Sequence, residues 1–121
     1  MASALLSQKL YLRLGRGEFM ITIKDNIIKL DFHEETLHCD IYADGTKWTW
    51  QQDYKPYFKY NGKDVLFSEA KNVSHKRYDT GIGFGLVSHY ENFEQVPELC
   101  FETYIWIELS TGDVHFEWIP I

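Results

Sequence analysis

The sequence predicts an all-β, antiparallel fold, a two-sheet β-sandwich rather than a closed barrel. Three observations predict it. From Glu98 onward the chain reads ELCFETYIWIELSTGDVHFEWIPI, in which Leu99, Phe101, Thr103, Ile105, Ile107 and Leu109 alternate with Cys100, Glu102, Tyr104, Trp106 and Glu108. That period of two belongs to a strand and makes no helical stripe. Asp44-Gly45 and Asn61-Gly62 are hairpin signals between alternating segments. Short apolar segments with turn residues between them recur along the chain, giving roughly ten strands at sandwich spacing.

The elements follow in order. Lys9 to Leu14 alternates Leu10, Leu12 and Leu14 against Tyr11 and Arg13, and Gly15-Arg16-Gly17 interrupts it. Phe19 to Ile23 and Ile27 to Phe32 flank Lys24-Asp25-Asn26. Leu37 to Tyr42 follows a polar turn at His33 to Thr36, and Lys47 to Gln51 returns from Asp44-Gly45. Tyr57 to Tyr60 and Asp64 to Ser68 flank Asn61-Gly62. Val73 to Tyr78 and Phe84 to Tyr90 precede the last hairpin, whose turn is Ser110-Thr111-Gly112-Asp113 and whose return strand is Val114 to Ile119. Only Tyr90 to Val96 and Ser3 to Lys9 have room for a helical turn. No linker, repeat or low-complexity segment divides the chain, so residues 1–121 read as a single β-sandwich domain. Trp118, Ile119 and Ile121 crowd the last residues, where a polar tail is more usual. This leads us to expect the N-terminal part of a longer protein, or a sheet closed by its final residues.

At 121 residues the chain can bury a core without staples. Its 17% aromatic content suits strands, and it also suits stacking platforms for sugars. A net charge of −6 with no basic stripe argues against nucleic acid as a partner. The densest basic stretch, Lys71 to Arg77, reads as a solvated strand edge. Cys39 and Cys100 could pair, but two buried free thiols are the favoured reading. The N-terminus lacks a basic n-region, and no apolar run approaches a membrane span. The expected location is therefore cytoplasmic, with no membrane partner.

Candidate chemistry is sparse. Gly81-Ile82-Gly83-Phe84-Gly85 has glycine spacing reminiscent of a phosphate loop, but strand-like residues follow it where a helix should open. A glycine-rich strand that kinks or lets a neighbouring backbone approach accounts for it. Of the five histidines, His38 pairs with Asp40 and His115 with Glu117 on strand faces. A metal needs three or four converging ligands, so no metal and no cofactor is expected. Ser88 and Ser110 lack a nucleophile-elbow context, and Cys100 lies mid-strand on an aromatic face. Carboxylates such as Asp53, Glu69, Asp79, Glu91, Glu94, Glu98, Glu102 and Glu117 show no pair set across a cleft. No catalytic residue is expected.

The segment from Trp48 to Phe58 carries the best binding candidates. Trp48 and Trp50 lie two apart and would share a sheet face, with Asp53 and Tyr54 in the loop that follows. Aromatic rings stack on sugar faces while carboxylates hold hydroxyls, so Trp48, Trp50, Asp53 and Tyr54 are carbohydrate-binding candidates. The competing reading places this face in the core or at a domain interface.

Asp79-Thr80-Gly81-Ile82-Gly83-Phe84-Gly85-Leu86, Phe101 to Ile107 and Phe116 to Pro120 together resemble the closing strands of a known module. It is the N-terminal β-sandwich that precedes the catalytic barrel in clan-D α-glycosidases, especially glycoside hydrolase family 31; family 36 has a comparable leading sandwich. The resemblance implies a galactose-mutarotase-like supersandwich fragment. It implies a non-catalytic domain packed on a (β/α)₈ barrel of the same parent protein, with the catalytic aspartates in that barrel. Two other readings stand beside it. One is a free-standing carbohydrate- or small-ligand-binding module; the other is a small β-barrel enzyme or ligand carrier with an enclosed polar cavity. A homodimer would cover an unpaired edge or docking face.

Overall fold

A computed structural model describes residues 10–14 and 18–121. The chain is all-β, with eleven antiparallel strands among the described residues, close to the number expected. It divides into two compact units, Met1–Tyr54 and Lys55–Ile121. The expected turn at Ser3 to Lys9 and the interruption at Gly15-Arg16-Gly17 lie outside the described residues.

The first unit is one meander of β1 (Leu10–Leu14), β2 (Glu18–Lys24), β3 (Ile28–His33), β4 (Cys39–Ala43) and β5 (Thr46–Trp48), each strand paired with the next. Alternation sets its inner face. Ile21 and Ile23 on β2 pair with Phe32 and Leu30 on β3, and all four are buried. Cys39 continues that face opposite Phe32. On the other face Thr22 donates to the Asp31 carboxylate at 2.8 Å, so this buried acid is paired. At the β4–β5 hairpin Asp44 and Gly45 both take positive φ, 51° and 73°. The mirror-image turn that suits strand twist requires this, which is why the dipeptide signals it.

The second unit has two layers. A hairpin of β6 (Tyr57–Tyr60) and β7 (Lys63–Leu66) turns through Asn61-Gly62, as the sequence indicates. A four-stranded sheet runs in the order β11 (Val114–Pro120), β10 (Cys100–Glu108), β9 (Gly83–Glu91), β8 (Asn72–Asp79). Phe58 of the hairpin meets Phe93 and Phe101 edge-on at 5.5 and 5.9 Å. Phe67, in a 3₁₀ turn at Phe67–Glu69, lies 5.0 Å from Phe101 and 5.3 Å from Tyr90. The hairpin and turn therefore cap one face of the sheet, a sandwich-like arrangement.

Two segments of the second unit differ from expectation. The strand expected to Ser68 gives way to the 3₁₀ turn, where the Glu69 carboxylate accepts from the Leu66 amide at 2.8 Å. Tyr90 to Val96 is not helical: β9 continues to Glu91, Asn92 turns the chain at φ 67°, and Phe93 and Val96 plug the core. The basic stretch falls on β8, an exposed edge strand as expected, where Arg77 forks onto Asp79.

Candidate functional site

The register of the β8–β11 sheet sorts its side chains by face. Phe84, Leu86, Ser88 and Tyr90 on β9 pair with Ile107, Ile105, Thr103 and Phe101 on β10, and these form the apolar face. The positions between them build the opposite face: Gly83, Gly85, Val87, His89 and Glu91 against Glu108, Trp106, Tyr104, Glu102 and Cys100. Edge strand β11 adds His115, Glu117 and Ile119 to this second face.

At one end of that face His89 lies between two carboxylates. Its Nε2 is 2.7 Å from Glu91 Oε1, and its Nδ1 is 3.2 Å from Glu102 Oε2. The hydrogen bond to Glu91, then that to Glu102, pushes the His89 pKa up. Glu91 is held low chiefly by His89. Glu102 is held low chiefly by the Tyr104 hydroxyl, which donates to it at 2.5 Å. The same contact raises the Tyr104 phenol to about 12. Cys100 Sγ is 3.3 Å from His89 Nε2, and partial burial with the nearby Glu91 and Glu102 charges raises its thiol pKa.

At the other end Trp106 lies flat on the sheet. Its indole N–H donates to Glu117 at 2.7 Å, and its ring stacks on His115 at 4.2 Å and 13°. A Cβ on Gly83 would meet the Trp106 ring at 2.6 Å, and one on Gly85 would meet the Ile105 carbonyl at 1.9 Å. The glycine-rich strand thus serves close approach, as the sequence indicates, and not phosphate binding. His115 Nε2 contacts Glu108 at 2.9 Å, so His115 and Glu117 share a face and flank the same Trp106 ring without contacting one another's hydrogen-bond partner.

The carbohydrate-binding candidates lie in the first unit. Trp48 ends β5 and is half exposed, but Trp50 falls beyond the strand, so the shared-strand argument does not extend to it. Trp50 meets Tyr54 edge-on at 5.6 Å and His38 at 5.4 Å. The His38 Nε2 also contacts the Tyr54 carbonyl. The structure therefore groups Trp50 and Tyr54 with His38, whose spacing in sequence sets it beside Asp40. Asp40 instead bonds His33 at 2.9 Å. Asp53 is exposed on the same loop. Both cysteines are free; Cys39 is buried as expected, whereas Cys100 opens β10 and is only half buried.

Several large apolar side chains are exposed on β11 and just beyond it. Phe116, Trp118, Ile119 and Ile121 are each close to or above half exposed. Among the described residues, no helix is long and apolar enough to cross a membrane.

No family model matches this chain, and no curated protein does. Solved structures do match. The ligand-free α-N-acetylgalactosaminidase NagBb from Bifidobacterium bifidum is similar over 83% of this chain, at 35% identity and a TM-score of 0.77. Its GalNAc complex matches with the same values, and its Gal-NHAc-DNJ complex with a TM-score of 0.76. The chain spans 16% of the length of those structures. In fold and sequence it is similar to a small part of a glycosidase.

Proposed function

We propose that the chain is the non-catalytic β-module of an α-glycosidase, docked on a catalytic barrel of the same parent protein. The 35% identity across 83% of the chain, matched to one-sixth of a glycosidase, carries this reading. Exposed Phe116 and Trp118 on one face of β11 support it, since neighbouring apolar side chains on an edge strand need a cover in the assembled protein. The substrate class that the likeness suggests is an α-linked N-acetylgalactosaminide. Membership of family 31 rests on the sequence resemblance alone. Module and barrel would then work in one compartment, taken here as the cytoplasm.

Reading the gene beyond Ile121 tests the proposal: it should run on into a barrel of about 250 residues or more. The encoded protein should release N-acetylgalactosamine from its p-nitrophenyl α-glycoside, and this chain by itself should not. A stop codon after Ile121, with no separate barrel that this chain binds, would overturn the proposal.

A second reading is favoured by the cluster of Trp50, Tyr54 and His38, with Trp48 and Asp53 close by in sequence. It is a free-standing carbohydrate-binding module. It predicts saturable quenching of tryptophan fluorescence by a sugar, lost in Trp50→Ala; no response to any sugar in a folded sample would sink it.

A further inference from the structure

The sheet register places a thiol, an imidazole and a carboxylate at one point of the polar face. Cys100 stands directly opposite Glu91 in the β9–β10 ladder, and His89 lies two residues from Glu91 on the same face. His89 Nε2 is 2.7 Å from Glu91 Oε1 and 3.3 Å from Cys100 Sγ, and the three donor atoms all lie within 4.8 Å of one another.

We propose that His89, Glu91 and Cys100 form a binding site for a divalent transition-metal cation of the zinc class. Zinc bonds of about 2.0–2.3 Å to nitrogen, oxygen and sulfur require donor atoms a little over 3 Å apart, so small side-chain rotations open the cluster around an ion. A thiolate beside an imidazole selects zinc or cobalt over magnesium or calcium, which prefer all-oxygen sets. Three protein ligands leave a fourth position for water. On binding, the thiol releases its proton to solvent and coordinates as thiolate.

The support around the cluster is that of a metal histidine. Glu102 faces His89 Nδ1 at 3.2 Å, so it can accept a hydrogen bond from Nδ1–H and hold the tautomer that leaves the Nε2 lone pair for the ion. Glu102 is fixed in turn by the Tyr104 hydroxyl at 2.5 Å, and Asn72 reaches the second oxygen of Glu91 at 3.4 Å. Glu102 is a positioning residue and not a ligand. A second group, Glu108, Asp113 and His115, offers no thiol, and its histidine is already stacked on Trp106.

Cobalt(II) titration of the full 121-residue chain, prepared with reductant and stripped by a chelator, tests the site. One equivalent should produce a thiolate-to-cobalt charge-transfer band and visible bands of tetrahedral intensity, and one equivalent of zinc should bleach them. Cys100→Ser should abolish the charge-transfer band, and His89→Asn should abolish tight binding. Glu102→Gln should weaken the affinity about 10- to 100-fold, while His115→Asn should leave it unchanged. Zinc should also protect Cys100 from alkylation in the wild-type chain, a readout that needs no variant. A band that survives Cys100→Ser, or alkylation of Cys100 at the same rate with and without zinc, would overturn the proposal. In that case the cluster is a histidine held between carboxylates and nothing more. The outcome is independent of whether the chain belongs to a glycosidase.

Discussion

The two faces of the β8–β11 sheet come from the same strands, one residue out of step, and they obey different physics. On one face Phe101, Tyr90, Phe93 and Phe67 exclude water with rings 5.0–5.7 Å apart. On the other, half-buried His89, Glu102 and Tyr104, buried Trp106 and exposed Glu117 interact through directed bonds. The first face is non-directional and tolerates rearrangement within a fixed volume; the second depends on particular atoms at particular distances. The contrast separates residues that hold the sheet together from residues available for recognition.

The largest effect should come from emptying the apolar face. Phe101 is fully buried and meets the rings of Phe58, Phe67, Tyr90, Phe93 and Trp118. Phe101→Ala should cost about 3–5 kcal/mol, read as a lowered urea midpoint. A loss below about 1 kcal/mol would mean that the ring cluster is not the centre of this unit. Next is Gly85→Ala on the polar face. Its methyl would fall 1.9 Å from the Ile105 carbonyl and 2.5 Å from the Trp106 Cα. Overpacking of this kind costs about 1–3 kcal/mol, and a strand forced apart there should also alter the Trp106 emission. Unchanged stability would show that the strands can separate at no cost.

A tyrosine on each face sharpens the contrast through pH. Tyr90 is raised mainly by burial, whereas Tyr104 is raised to about 12 mainly by Glu102. Glu102→Gln should therefore bring Tyr104 back toward its ordinary value and leave Tyr90 high, read by ultraviolet or NMR titration of metal-free protein. A phenol whose folded pKa lies above its unfolded value favours the folded state at neutral pH. That contribution is intact below about 10 and fades as pH climbs through about 12. Alkaline unfolding should thus begin earlier in Glu102→Gln. If Tyr104 fails to move, the short hydrogen bond does not set its titration.

Much of this contrast was legible in the sequence. Alternation from Leu99 to Leu109 separates the two faces, and Asp44-Gly45 and Asn61-Gly62 mark turns because few other residues tolerate their positive φ. The partner of each polar side chain was not legible. His89 finds Glu102 and Cys100 only through the β9–β10 register, and a one-residue slip would bring a different set together. The 3₁₀ turn at Phe67–Glu69 was hidden for a related reason, since a glutamate closing back on the Leu66 amide looks like any other polar residue after a strand. The grouping of Trp50 with His38 depends on a loop reversal that no periodicity encodes.

The smallest expected change in stability is also the one that tests where the apolar face ends. Phe116 occupies the same face as Phe101 by register, since Ile105 pairs with it across the β10–β11 ladder, yet it is 51% exposed. If the exposed row on β11 were simply an outer part of the core, Phe116→Thr would cost a large fraction of what Phe101→Ala costs. If it is a surface awaiting a barrel, the isolated chain should lose only about 0.5 kcal/mol, because threonine keeps the strand propensity and little buried area is removed. The loss should appear instead in assembly, as weaker association with the barrel segment by light scattering or calorimetry. Equal association of wild type and Phe116→Thr would move the docking surface off β11, and a large loss of stability would return Phe116 to the core.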